Sequence, residues 1–248
     1  MESALYDEWN RIESHHWWFV GRGVLFVRLL SRYLSAAPHR VLDVGCGTGS
    51  NVLRLGRFGS VIGLDPSRAA LGYCRDRLAG RGALTGGTMS RLPFGAGAFD
   101  LVTAFDVLEH DADPEACVRE VFRVLEPGGW FFASVPAYRL MWGDHDRVAH
   151  HHRRYRRGEI ERLLRDAGFE VVRSTHLNSI LFPIAFVFRQ LKNAIGKLVP
   201  HEPRSDFGST SPPLVNGVLR RVFEAEGPLL DRVDLPFGLT IACLARRP

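Results

Sequence analysis

Val41-Leu42-Asp43-Val44-Gly45-Cys46-Gly47-Thr48-Gly49 decides how the rest of the chain is read. An apolar run around Asp43 stops at three alternating glycines, the pattern of a buried parallel strand that ends in a tight turn before a helix. Gly45, Gly47 and Gly49 carry no Cβ, so the backbone can close on a ligand outside the carboxyl end of the strand, where open parallel sheets bind their ligands. The dinucleotide fingerprint G-x-G-x-x-G does not fit, because the third glycine comes one position early. A second apolar run, Val61-Ile62-Gly63-Leu64-Asp65, ends in a carboxylate that can accept from both hydroxyls of a ribose. Pro66 restrains Asp65 to the extended backbone that a strand end needs.

The spacing of Asp43, Gly45, Gly47 and Gly49, with Asp65 after it, resembles motif I of the class I S-adenosylmethionine (SAM)-dependent methyltransferases. The resemblance implies SAM as cofactor and S-adenosylhomocysteine as product, held by Asp43, Gly45, Cys46, Gly47, Gly49, Asp65 and Pro66. It implies an α/β fold, a Rossmann-like seven-stranded sheet flanked by helices, to which this chain's own pattern adds an N-terminal helical cap and a helical lid insertion before the last strand. The corresponding divisions are a cap over 1–36, a SAM-binding core over 37–177, a lid over 178–235 and a final core strand over 236–248.

Periodicity places the elements. Residues 1–36 read as helical, with His15-His16-Trp17-Trp18-Phe19 too apolar for a free tail. These aromatics either pack the N-terminal helix onto the domain or cap the cofactor cleft, with Trp18 and Arg22 near the methionyl carboxylate. Strands are expected at 40–44, 61–64, 82–86, 99–105, 130–135, 169–175 and 239–245, and helices after Gly49, over 68–78, from Pro114 to Leu125 and from Gly158. Leu92-Pro93-Phe94 resembles the family's adenine loop, but Thr88 stands where an acid is usual and Met89 where alanine is common. Thr88 and Met89 are therefore expected at the adenine and Phe105 beside the cofactor. Helical candidates at 180–195 and 212–226 flank the stretch His201 to Pro213, which is turn-rich and expected to be mobile.

Asp106-Val107-Leu108-Glu109-His110 follows the fourth strand, where the family often carries Leu-Glu-His. The most specific segment comes after strand five. Trp142, Asp144, His145, Asp146, His150, His151, Arg153, Arg154 and Tyr155 match a pattern Trp-x-Asp-His-Asp, then His-His-x-Arg-Arg-Tyr, that resembles one small-molecule branch of these enzymes. So dense a set of acids and histidines raises metal binding, but nothing resembles H-E-x-x-H or a zinc ribbon, and no metal is expected. Methyl transfer from a sulfonium is an in-line displacement, so the protein must position a nucleophile and take its proton. Either His145 or His151 suits that base, with Asp146 to orient it and His110 at the rim. Tyr138, Trp142, Arg153, Arg154, Tyr155, Asn178 and Phe182 are expected around the acceptor, the arginines toward an anionic group.

The formal charge of +5 does not require a nucleic-acid partner, and no RNA-binding module is visible. Cys46, Cys74, Cys117 and Cys243 are far apart and read as buried fillers in a reduced compartment. With no signal peptide and no long apolar run, a cytoplasmic protein is expected. The apolar segment at 180–188 suits a hydrophobic acceptor pocket, a second copy of the chain in a homodimer, or peripheral contact with a membrane. The expected function is methyl transfer to O, N or C of a small molecule, as in bacterial glycan, lipid or secondary-metabolite biosynthesis. The alternatives keep the fold: a SAM-binding enzyme of non-methylating chemistry such as a cyclisation, or a SAM-binding protein that is not an enzyme.

Overall fold

A computed structural model describes residues 3–34, 39–198, 202–203, 205–207 and 212–248. The strands β1 (His39–Val44), β2 (Gly59–Asp65), β3 (Ala83–Gly86), β4 (Phe99–Phe105), β5 (Leu125–Pro136), β6 (Glu170–Leu177) and β7 (Thr240–Arg246) form one sheet, in the order β3-β2-β1-β4-β5-β7-β6. All neighbours pair in parallel except β7, which runs antiparallel between β5 and β6. The central strands are buried on both faces, so they read as unbroken apolar runs.

Alternate residues of each strand feed two separate cores. Leu42, Val44 and Val102 face α5 (Pro114–Val124) and α7 (Arg157–Asp166). Val41 and Leu101 face α2 (Trp17–Leu30), α3 (Ser50–Leu55) and α4 (Arg68–Leu78). Local chemistry sets the helix starts: Ser67 accepts from Ala70 N at 3.2 Å to cap α4, and Asp113 accepts from Ala116 N at 2.9 Å to cap α5. The two termini of β5 differ from the expectation of 130–135. Leu125 already pairs with Phe99, and the Glu126–Gly129 turn is accommodated by a register shift before Trp130 pairs with Leu101.

The N-terminal segment folds as α1 (Ser3–Ile12) and α2. Beyond β6 come α8 (Phe182–Leu198), α9 (Pro213–Glu224) and a short α10 (Gly227–Leu230) that sequence periodicity did not resolve. α9 packs on α2, with the buried Phe223 ring 5.7 Å from Trp18 and 6.1 Å from Trp17. Glu226 then pins the exit from β6: its buried carboxylate accepts from Asn178 N at 2.7 Å and Ile180 N at 2.8 Å. On α8, Ile184, Val187, Phe188, Leu191 and Ile195 lie on an exposed face. No helix among the described residues is long and apolar enough to cross a membrane. Much of the stretch expected to be mobile, 201–213, lies outside the described residues. All four cysteines are free and buried.

Candidate active site

A cavity of about 660 Å³ opens at the carboxyl ends of β1, β2 and β4. Its floor on one side is the glycine turn. Gly45 has φ 67° and Gly49 φ 91°, and a Cβ at Gly45 would sit 2.5 Å from Val107 Cγ2. Gly47 N donates to Asp65 Oδ2 at 3.0 Å and Ser67 N donates to Asp65 Oδ1 at 2.9 Å, so Asp65 links the two strand-end loops. Gly45, Gly47, Asp65 and Pro66 all face the cavity. Burial raises the Asp65 carboxyl, against the two N–H donors.

The cap closes over this floor. Thr48 Oγ1 donates to Glu13, which also pairs with Arg77, so α1 is tied to the glycine turn. Trp18, Phe19 and Arg22 reach the cavity from α2, and Phe26 stacks on Phe105 at 4.4 Å. The near-buried Arg22 pairs with Asp106, and its guanidinium lies 5.6 Å from the Trp18 ring. The aromatics thus both pack against α9 and wall the cavity.

The second half of the cavity is built by the turn after β4 and by the segment around α6 (Asp144–Val148). Asp146 is fully buried and accepts from Gly143 N at 2.8 Å, His151 Nδ1 at 2.9 Å, and Arg154 Nε and Nη2 at 2.7 and 3.1 Å. Burial pushes this carboxyl up, but His151, Arg154 and the Gly143 N–H outweigh it and hold it far below the usual range. The bond from Nδ1 to Asp146 orients the ring, and in the neutral imidazole it makes Nε2 the acceptor nitrogen. His110 packs edge-on at 4.6 Å between ring centroids, and His145 lies 5.8 Å from His151. Burial lowers His110 to about 3 and His145 to about 4, so both are neutral. Glu109 is wholly buried, and neither of its oxygens has a hydrogen-bond partner among the described residues. Burial raises it to about 8, against its own backbone N–H and the pull of Arg22 and Arg154. Glu109, His110 and His151 offer ligand atoms that all lie within 4.8 Å of one another.

Backbone conformation marks the same rim. Asp106, Tyr138, His150 and Asn178 are left-handed non-glycine residues, at φ 56°, 57°, 56° and 60°. Three of them sit just past the ends of β4, β5 and β6, and of these Asp106 lines the cavity.

Several residues expected at the site lie elsewhere. Asp43 sits inside the sheet, accepting from Thr103 Oγ1 at 2.7 Å, and burial raises its carboxyl to about 7. Cys46 and Gly49 lie behind the turn; a Cβ on Gly49 would strike Cys74 Sγ at 2.5 Å. Thr88 is exposed beyond β3 and Met89 fills the core, so neither borders the cavity. Tyr155 donates to the Leu108 carbonyl at 3.2 Å and is buried under the Glu109 turn. Tyr138 bonds His176 Nε2 at 3.0 Å and packs on Phe182, outside the wall. The Trp142 carbonyl accepts from Asn193 Nδ2 at 2.9 Å, anchoring α8. Asn178 is fully buried behind the rim. Arg153 is spent on the Asp111 and Ala112 carbonyls, so of the expected pair of acceptor-binding arginines only Arg154 reaches the cavity, already paired.

Other wall residues were not expected. Tyr6 approaches Asp65 from α1. Phe207 packs on Phe19 at 5.0 Å and His145 at 5.1 Å, and Asp206 beside it pairs with Arg189 of α8. The pair therefore bridges cap, α6 segment and α8 across the cavity. Helical spacing on α1 could have found Tyr6; nothing in the turn-rich stretch singles out Phe207.

A family model described as a methyltransferase domain matches residues 21–174, well over half of the chain. A Mycolicibacterium smegmatis protein named for SAM-dependent methyl transfer is 34% identical over 163 residues, covering 64% of this chain and 62% of its own length. A ubiquinone biosynthesis O-methyltransferase of Chromobacterium violaceum is 30% identical over 149 residues, covering 52% of this chain and 60% of its own. The chain thus spans about three fifths of these curated relatives. Among solved structures, a chain of the complex between the Haloferax volcanii Trm112 methyltransferase activator and a methyltransferase superposes with TM-score 0.64 at 20% identity, covering 99% of this chain and 95% of that one.

Proposed function

The chain belongs to the class I SAM-dependent methyltransferases, and on that premise we propose that it moves the SAM methyl group to a nucleophilic atom of a small molecule. The observation that carries the reading is the two-sided cavity: glycine turn and Asp65 on one wall, His151 with its Asp146-fixed tautomer on the other. SAM lies along Gly45, Gly47 and Asp65, with Arg22 and Trp18 over its methionyl end. The acceptor enters between the Glu109–His110 turn, the α6 segment and Ala185 and Phe188 of α8, which makes 178–235 the acceptor-side lid. The apolar rings there favour an acceptor with a hydrophobic body. The free Nε2 of His151 is the activating atom, fit to serve as general base toward the nucleophile.

Calorimetry with SAM and NAD, followed by a mass assay with aromatic and lipid-linked hydroxy compounds, tests this. Binding of SAM and an acceptor heavier by one methylene unit are expected. NAD binding without SAM binding would sink the reading.

A further inference from the structure

We propose that Glu109, His110 and His151 bind a divalent transition-metal ion that activates an oxygen nucleophile of the acceptor. The inference rests on the acceptor half assigned above, and moves the work of the His151 Nε2 from direct proton transfer to ligation. Ligand atoms around one ion at about 2.1 Å stand at most ~4.2 Å apart. The three atoms here lie within 4.8 Å of one another, and rotations about the side-chain torsions bring them onto a common ion.

Both imidazoles carry the support that metal-bound histidines need. His151 gives Nδ1–H to Asp146 at 2.9 Å, and the His110 ring bonds the Ala149 carbonyl. Each histidine is thereby oriented with its other nitrogen left over. The two stretches are also fastened to one another, since His152 N donates to the Glu109 carbonyl at 2.7 Å.

Glu109 supplies the independent observation. A carboxylate with no exposure and, among the described residues, no hydrogen-bond partner from another residue is costly, and buried polar groups are nearly always satisfied. The neighbouring cations are committed, Arg22 to Asp106 and Arg154 to Asp146. A bound cation gives both Glu109 oxygens the partner that they lack among the described residues. Two imidazoles and one carboxylate suit Zn²⁺, Fe²⁺, Co²⁺ or Mn²⁺ rather than Mg²⁺, which prefers oxygen ligands. All three residues face the cavity, so the remaining coordination positions open toward the acceptor, as in catalytic rather than structural sites.

In the step this permits, an acceptor hydroxyl occupies an open position and its proton leaves to solvent. The oxygen lone pair attacks the SAM methyl carbon. The C–O bond forms as the C–S bond breaks, and sulfur keeps that electron pair to give S-adenosylhomocysteine.

The test is titration of the chelator-treated chain with Co²⁺ and Zn²⁺ alone, by calorimetry and by the visible absorption of Co²⁺. One tight site is expected. Glu109→Gln and His110→Ala should weaken it by more than ~100-fold, and Asp146→Asn by about 10–100-fold, with SAM affinity kept as the check on folding. Turnover should vanish with chelator and return with metal. Absence of metal binding, or binding indifferent to Glu109→Gln and His110→Ala, overturns the proposal. Full turnover in chelator overturns it too and returns His151 to the role of bare base, leaving the methyltransferase reading intact. Failure to bind SAM, with metal bound, instead strikes the functional reading.

Discussion

Asp65 holds two loops and faces the cofactor wall with one carboxylate. Asp65→Ala should weaken SAM binding by about 1–3 kcal/mol, the cost of buried donors left unmet; calorimetric affinity equal to that of the parent chain would remove Asp65 from the site. His151 is a contrasting case, because it lies on the opposite wall. His151→Ala should leave SAM affinity nearly intact while turnover falls by roughly 10²–10⁴-fold, whether Nε2 takes a proton or holds an ion. Single-turnover measurements locate the loss: a defect in cofactor capture alone would contradict the assignment. Thr88 and Met89 show where reading by position fails. The sequence fixes their place after β3 but not their depth, and the chain turns so that Met89 enters the core while Thr88 faces out. Glu109 is the converse, legible as part of Leu-Glu-His but not as an acid buried at the cavity wall.

At the scale of elements, α2 begins at a histidine. His16 Nδ1 accepts from Trp18 N at 3.3 Å, and burial lowers this imidazole from 6.5 to about 4. The unfolded chain therefore takes the proton first. The neutral cap is intact above about pH 6.5 and its contribution is lost as pH falls from there toward 4. Measured against His16→Asn, which keeps a cap acceptor without titrating, the parent chain's urea midpoint should fall from about pH 7.5 to about pH 5. Equal slopes would contradict it. Elements were most legible where burial is two-sided: β4 and α4 fall on their expected bounds because apolar runs and caps agree. β6 runs to Leu177, past the expected Thr175, because pairing with β7 carries it on. α10 and the contact of Phe207 with the cap depend on partners far away in sequence, and local periodicity holds no trace of them.

Across the whole molecule, Glu226 joins the helices after β6 to the strand exit before them. Glu226→Ala leaves the buried Asn178 N–H and the partly buried Ile180 N–H without an acceptor and should cost about 1–3 kcal/mol in denaturant unfolding, with Glu226→Gln milder. A change near zero in the alanine variant would show that water or backbone rearrangement replaces it. The interior position of β7 has a consequence for synthesis. On the ribosome, β6 emerges well before the strand that joins it to the sheet, since α8, α9 and α10 come between them in the chain. Until residues 240–246 leave the exit tunnel, β5 and β6 each present a bare edge, a hazard for pairing with other nascent chains. One strand then seals both edges together. Leu239 and Thr240 also wall the cavity, so the protein gains a complete cofactor pocket only as that strand is threaded into place.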